Sequence, residues 1–275
     1  MHLHNQLMWS VVRIQATSAT GTSVGTGFWY KLISNDQGAA VGLITNKHVI
    51  EGAEKIEFSV SFTRNGSSEM HHEMVAFDLR NTHIISHPDE KVDLCAIVAS
   101  ELFNWLQEKG GEARIRVLQE QELADKSFFD RTLPAEEILM VGYPNGLWDR
   151  KNNGAIIRSG VVATNPGDDY EGRPEFMVDI ACFPGSSGSP IYVAKTGARQ
   201  DKSGTLVFGG AEFRLLGILW GGPQYAAEGN IIARPIPTST QAVPITGIPN
   251  NLGFAIKATE LKYLGDLAAE RFQFQ

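Results

Sequence analysis

Hydrophobic and polar residues alternate in short runs along most of the chain, broken at close intervals by Gly, Asn, Asp and Pro. Period-two alternation of this kind predicts half-buried β-strands. In the first half the runs fall at residues 11–16, 27–32, 40–45, 55–62, 74–79 and 94–99. A second series follows at residues 137–142, 155–163, 175–180, 190–193, 206–208, 215–220 and 253–256. Between them, residues 101–129 are rich in Glu, Gln, Lys and Leu, and Leu102, Phe103, Trp105 and Leu106 have helical spacing. Residues 259–269 again read as an amphipathic helix, despite Gly265. The stretch from Gly222 to Asn251, spotted with Pro, predicts a long loop of functional or mobile character. The expected architecture is all-β, two six-stranded antiparallel Greek-key barrels with a C-terminal helix. The expected division is residues 1–125 for the first barrel with its connection and 126–275 for the second.

Composition narrows the function classes. With 43% hydrophobic residues in 275, the chain has enough apolar material for sizeable cores. The net charge of −7 and the lack of a Lys/Arg-rich block give no support to a nucleic-acid or anionic-membrane partner. No apolar run approaches the ~18 residues of a membrane-spanning helix. Two cysteines, Cys95 and Cys182, cannot make a disulfide framework, and the start at Met1 lacks the features of a signal peptide. A cytoplasmic location is therefore expected.

Three segments carry candidate chemistry. In Phe183-Pro184-Gly185-Ser186-Ser187-Gly188-Ser189-Pro190, glycines flank serines in a way that permits a tight turn and close backbone approach. The N–H groups of Gly185 and Ser187 are candidates for stabilising an oxyanion. Composition alone reads the same segment as an ordinary Ser/Gly/Pro loop. His48 ends the apolar run Leu43-Ile44-Thr45-Asn46-Lys47-His48, where a structural histidine is the commoner reading. Asp93 opens the apolar run Asp93-Leu94-Cys95-Ala96-Ile97; a carboxylate entering a core needs a partner, and an imidazole N–H is suitable. His71 and His72 are adjacent, not spaced for one metal, and read as a solvated strand edge. No metal or cofactor is expected.

Taken together, these segments resemble the chymotrypsin-like serine proteases, closest to the HtrA-type bacterial branch. Gly25-Thr26-Gly27-Phe28, Thr45-Asn46-Lys47-His48-Val49, Asp93-Leu94-Cys95-Ala96, Gly142-Tyr143-Pro144-Asn145-Gly146, Ser159-Gly160-Val161-Val162, Pro184-Gly185-Ser186-Ser187-Gly188-Ser189-Pro190 and Gly253-Phe254-Ala255-Ile256 follow the family's order. The resemblance implies a serine endopeptidase with Ser187 as nucleophile, His48 as general base and Asp93 as its orienting partner. It also implies an S1 pocket walled by Ala181, Cys182 and Phe183 on one side and by Leu219, Trp220 and Gly221 on the other. Neither wall holds a carboxylate, so an apolar P1 preference is expected. Two departures stand out. Ser186 occupies the position where trypsin-type zymogens carry an aspartate, so activation by a newly cut N-terminus is not expected. No PDZ module is expected after the C-terminal helix. A protease of the cell interior must be restrained by a partner protein or a mobile loop, beside its protein or peptide substrate. The alternatives are a catalytically inactive protease-fold binding module and an esterase or acyl transferase using the same residues.

Overall fold

A computed structural model describes residues 3–35, 38–64, 67–110, 112–196, 199–200, 206–207, 211–227, 246–249 and 251–272. After a short helix α1 (Leu3–Met8), the first half forms one antiparallel sheet. Its strands are β1 (Val11–Ser18), β2 (Gly21–Asn35), β3 (Gly38–Thr45), β4 (Ala53–Thr63), β5 (Met70–Asp78), β6 (Ile84–Ser86) and β7 (Cys95–Val98), in the order β5-β4-β1-β2-β3-β7-β6. The seventh strand beyond the expected six is β6, whose three residues are too few to show a period.

The second half supplies β8 (Glu137–Gly142), β9 (Ile156–Val162), β10 (Glu175–Asp179), β11 (Pro190–Thr196), β12 (Arg199–Gln200), β13 (Leu206–Val207), β14 (Ala211–Gly221), β15 (Gln224–Ala227), β16 (Thr246–Pro249) and β17 (Leu252–Lys257). Six of them close a barrel in the order β10-β17-β14-β11-β8-β9. Among the described residues, strands β12 and β13 pair with each other alone, as do β15 and β16. Most of the expected loop from Gly222 to Asn251 lies outside the described residues, and so does Phe208.

Three cores follow from the alternation. The first sheet encloses Ile14, Trp29, Leu43, Ile56, Phe58 and Phe62. Leu102 and Leu106 of helix α3 (Ser100–Glu108) seal it, and Trp29 meets Phe58 and Phe103 edge-on. The barrel encloses Met140, Phe176, Val178, Ile191, Leu216 and Leu219. A third cluster joins the halves, with Phe28, Tyr30 and Ile44 packed among Val141, Tyr143, Tyr192 and Leu215. Strand β2 is thus buried on both faces, Trp29 pointing into the first core while Phe28 and Tyr30 point to the junction. Each such aromatic withdrawn from water contributes roughly 1.5–3 kcal/mol.

Helix α5 (Leu261–Phe272) lays Leu261, Leu264 and Ala268 onto the junction core. Gly265 costs helix propensity, but a Cβ there would meet the Leu32 carbonyl at 3.0 Å. The glycine lets the helix approach β2 closely. In the connection, Asp125 caps α4 (Lys126–Arg131) by accepting the Phe128 N–H at 2.7 Å.

Candidate active site

Strand register brings His48 and Asp93 together. β3 pairs with β7 so that Thr45 lies opposite Cys95. The chain leaves β3 into a single helical turn, α2 (Lys47–Ile50), which buries Val49 and Ile50 and turns His48 outward. Asp93, two residues before Cys95, meets it there. Its Oδ2 accepts the His48 Nδ1–H, and its Oδ1 accepts the His48 main-chain N–H at 3.1 Å. The Asn46 side chain donates to the Asp93 carbonyl at 2.7 Å and fastens the two segments. Burial alone raises the Asp93 carboxyl, but the hydrogen bonds and charge of His48 outweigh it and hold the group below the ordinary carboxylate range. An ionised Asp93 accepts only, so whenever the His48 ring is neutral its proton sits on Nδ1 and Nε2 is an acceptor. The imidazole is 42% exposed.

Ser187 lies on the loop between β10 and β11. Gly185 and Gly188 take φ of +87° and +84°, which side chains rarely adopt, and Cβ atoms there would meet the Tyr143 and Thr26 carbonyls at 2.5 and 2.0 Å. Pro184 O accepts the Asn145 N–H at 2.6 Å, and Ser186 O accepts the Ser189 N–H at 3.0 Å. In a planar trans peptide the N–H points away from the preceding carbonyl, so these anchors aim the N–H groups of Gly185 and Ser187. Among the described residues neither of those two N–H groups donates to anything. Asn145 makes its contact from a left-handed conformation, φ +53°. Ser186 is buried, and its hydroxyl has no partner among the described residues. No hydrogen bond joins Ser187 Oγ to His48 among the described residues, a common state for such sites without substrate.

Beside Ser187 opens a cavity of about 270 Å³. Cys182, Phe183, Leu219 and Gly221 line it, joined by Pro184, Gly222, Pro223 and Leu252. Ala181 and Trp220 do not. Along β14, side chains alternate between faces, so Leu219 and Gly221 face the cavity while Trp220 between them faces away. Ile180, Cys182 and Leu219 belong to the barrel core, whereas Trp220 packs on the junction core and stacks on Phe254. Ala181 instead offers its carbonyl to Arg158. His71 and His72 lie on the edge strand β5, where His72 bonds Ser61 at 2.9 Å.

A trypsin-like peptidase domain matches residues 25–198, which contain His48, Asp93 and Ser187 in that order. The chain belongs to the trypsin-like peptidase family. No curated protein sequence matches it. Among solved structures, a thermostable serine protease from an extremophilic microorganism is similar at 12% identity and TM-score 0.52, over 96% of this chain and 99% of that one. The catalytically inactive tobacco etch virus protease with substrate is similar at 11% identity and TM-score 0.50, over 100% and 89%. An HtrA-type protease, AlgW, with a tripeptide, is similar at 17% identity and TM-score 0.46, over 99% and 63%. The trypsin-like chain spans less than two thirds of that protein's length. At these identities the likeness defines the fold, a chymotrypsin-like double barrel in which the seven-stranded sheet stands beside the closed six-stranded barrel.

In this trypsin-like domain, Thr26 and Asn145 hold the serine loop, yet no role for either could be read from the chain. Both stand inside family-like segments, and that is the only signal they carry in sequence. Cys182 is 9% exposed, its thiol donates to Ile180 O at 3.1 Å, and burial pushes it up to about 11. Its alkylation at neutral pH should run roughly 100-fold slower in the folded protein than in the unfolded chain, because the thiolate is the reactive form. Mass spectrometry over time measures this; equal rates in the two states would mean that the cavity exposes the thiol.

Proposed function

We propose that this protein is a serine endopeptidase working through an acyl-enzyme, with His48, Asp93 and Ser187 as its catalytic triad. The observation that carries the reading is the pair of anchored N–H groups of Gly185 and Ser187, unbonded among the described residues, in a family domain that also holds the His48–Asp93 pair. Ser187 Oγ attacks the scissile carbonyl carbon while His48 Nε2 takes its proton. The two N–H groups bind the oxyanion that forms. Collapse breaks the C–N bond, His48 returns the proton to the leaving amine, and the acyl group stays on Ser187. Water, deprotonated by His48, then releases the acid and restores the serine. Asp93 holds the ring in the tautomer that this proton traffic requires. Ser186 is buried and carries no charge, which supports activity without a new N-terminal ammonium.

Fluorophosphonate labelling, with turnover of casein and of a small ester, tests the reading. Labelling at Ser187 with casein cleavage is expected. Neither labelling nor turnover would favour a binding module on a protease fold, and ester turnover without casein cleavage would favour an esterase.

The P1 preference follows from the cavity. Its described lining is Cys182, Phe183, Leu219, Leu252, prolines and glycines around Ser187, with no carboxylate or cation. A Lys or Arg at P1 would lose hydration without gaining an ion pair. Digestion of a proteome-derived peptide library should show graded preference for Ala, Val or Leu at P1, since one methylene is worth only about 1–3 kcal/mol. Cleavage dominated by Lys, Arg or Glu would overturn this pocket while leaving the triad untouched.

A further inference from the structure

Thr26 sits in mid-strand on β2, in the half of the molecule opposite the serine loop, and is fully buried. Its main-chain N–H donates to Ser187 O at 2.8 Å. Its hydroxyl donates to Gly185 O at 2.9 Å and accepts the Tyr143 N–H at 3.2 Å. A hydroxyl has one proton to give and lone pairs to accept, so both bonds form together. Its carbonyl accepts the Thr45 hydroxyl at 2.8 Å and fills the space that a side chain at Gly188 would need. One buried residue therefore holds carbonyls on both sides of Ser186, and through Tyr143 it touches the turn that supplies the Asn145 anchor. Holding a carbonyl fixes a whole peptide plane. Through Thr45, the same residue reaches the strand end that leads to His48.

We propose that Thr26 is a positioning residue, which clamps the Gly185–Gly188 loop of the second half to the base-bearing half and so sets Ser187 and the oxyanion N–H groups against His48. The inference rests on the serine-peptidase reading above. It predicts more than a loss of stability. Once the hydroxyl bond is gone, the Gly185–Ser186 peptide has lost a restraint and the loop samples other orientations. Substrate still enters the cavity, but the transition state loses its aligned partners, so kcat suffers and KM does not.

The test compares Thr26→Val, which keeps the shape and removes the hydroxyl, with Thr26→Ser, which keeps the hydroxyl. Measurements are made on the full chain well below the unfolding midpoint, because Val also strands the buried Tyr143 N–H. Amide hydrogen exchange of peptides covering residues 183–189 needs no turnover and reads the clamp directly. Exchange there should quicken about tenfold or more in Thr26→Val while core peptides of the first sheet stay protected. On an ester substrate, kcat should fall roughly 10- to 100-fold with KM nearly unchanged, since small misplacements at a reacting centre cost rates of this order. Thr26→Ser should retain both properties. If Thr26→Val fails to fold, Thr45→Val, which removes the brace on the Thr26 carbonyl, should move both readouts the same way by a smaller factor. Unchanged exchange in the folded variants, or Thr26→Ser as impaired as Thr26→Val, overturns the clamp. Faster loop exchange in a protein whose wild type neither labels nor hydrolyses would leave the clamp standing and remove the peptidase reading instead.

Discussion

Replacing Ser187 with alanine is expected to lower kcat for peptide hydrolysis by roughly 10⁶ and to abolish fluorophosphonate labelling, the usual consequence of deleting a triad nucleophile. The N–H anchors at Pro184 O and Ser186 O involve no side chain of Ser187, so the variant should fold normally and retain its oxyanion groups. A remnant of catalysis over water, on the order of 10³–10⁴, belongs to those groups and to binding. Ser186→Ala is the matched control. The Ser186 hydroxyl is buried and has no partner among the described residues, so its loss should leave the labelling site on Ser187. Active-site titration with peptide mapping measures both variants. Wild-type-like hydrolysis by Ser187→Ala would sink the nucleophile assignment.

Asp93→Asn should depress kcat by roughly 10⁴ with a native fold. Both carboxylate oxygens accept from His48, one from the ring and one from the main chain. An asparagine can keep the main-chain bond through its carbonyl oxygen. It then presents an NH₂ group to Nδ1, which favours the tautomer whose Nε2 carries the proton and cannot accept one from Ser187. The Asp93 carboxyl titrates below its ordinary value in the folded protein, so proton binding favours the unfolded chain. The stabilisation by this pair is therefore complete above about pH 4 and disappears as pH falls through the depressed folded value. Asp93→Asn should lack that acid-side component of the stability curve. Steady-state kinetics and thermal melts from pH 2 to about 7 record the two effects. Full activity in the variant would refute the orienting role.

The strands were legible wherever one face was buried and the other was not. β4 shows this best, with Ile56, Phe58, Val60 and Phe62 turned to the core and polar residues interspersed. The reading failed on elements too short to hold a period. β6 has three residues, and α4 has six. Within the candidate site, the segments of His48, Asp93 and Ser187 stood out as candidates because the neighbours of each suit the same task. Glycines at 185 and 188 permit positive φ, and an apolar strand leads to the histidine. Of the expected pocket walls, Ala181 and Trp220 are not among the lining residues, and for Trp220 the reason is alternation along β14, which turns it to the other face.

By itself, then, the order of residues determined the two β-rich halves, the flanking helices and the three side chains of the candidate triad, because those depend on local periodicity and on the chemistry of single segments. Only the tertiary structure decided what depends on distances between segments far apart in the chain. Register between β3 and β7 makes His48 and Asp93 partners, and alternation along β14 chooses Leu219 over Trp220 for the pocket. Thr26 acquires its place only when the two halves close on each other. A threonine in a strand has no distinguishing pattern until a carbonyl 159 residues away needs a donor.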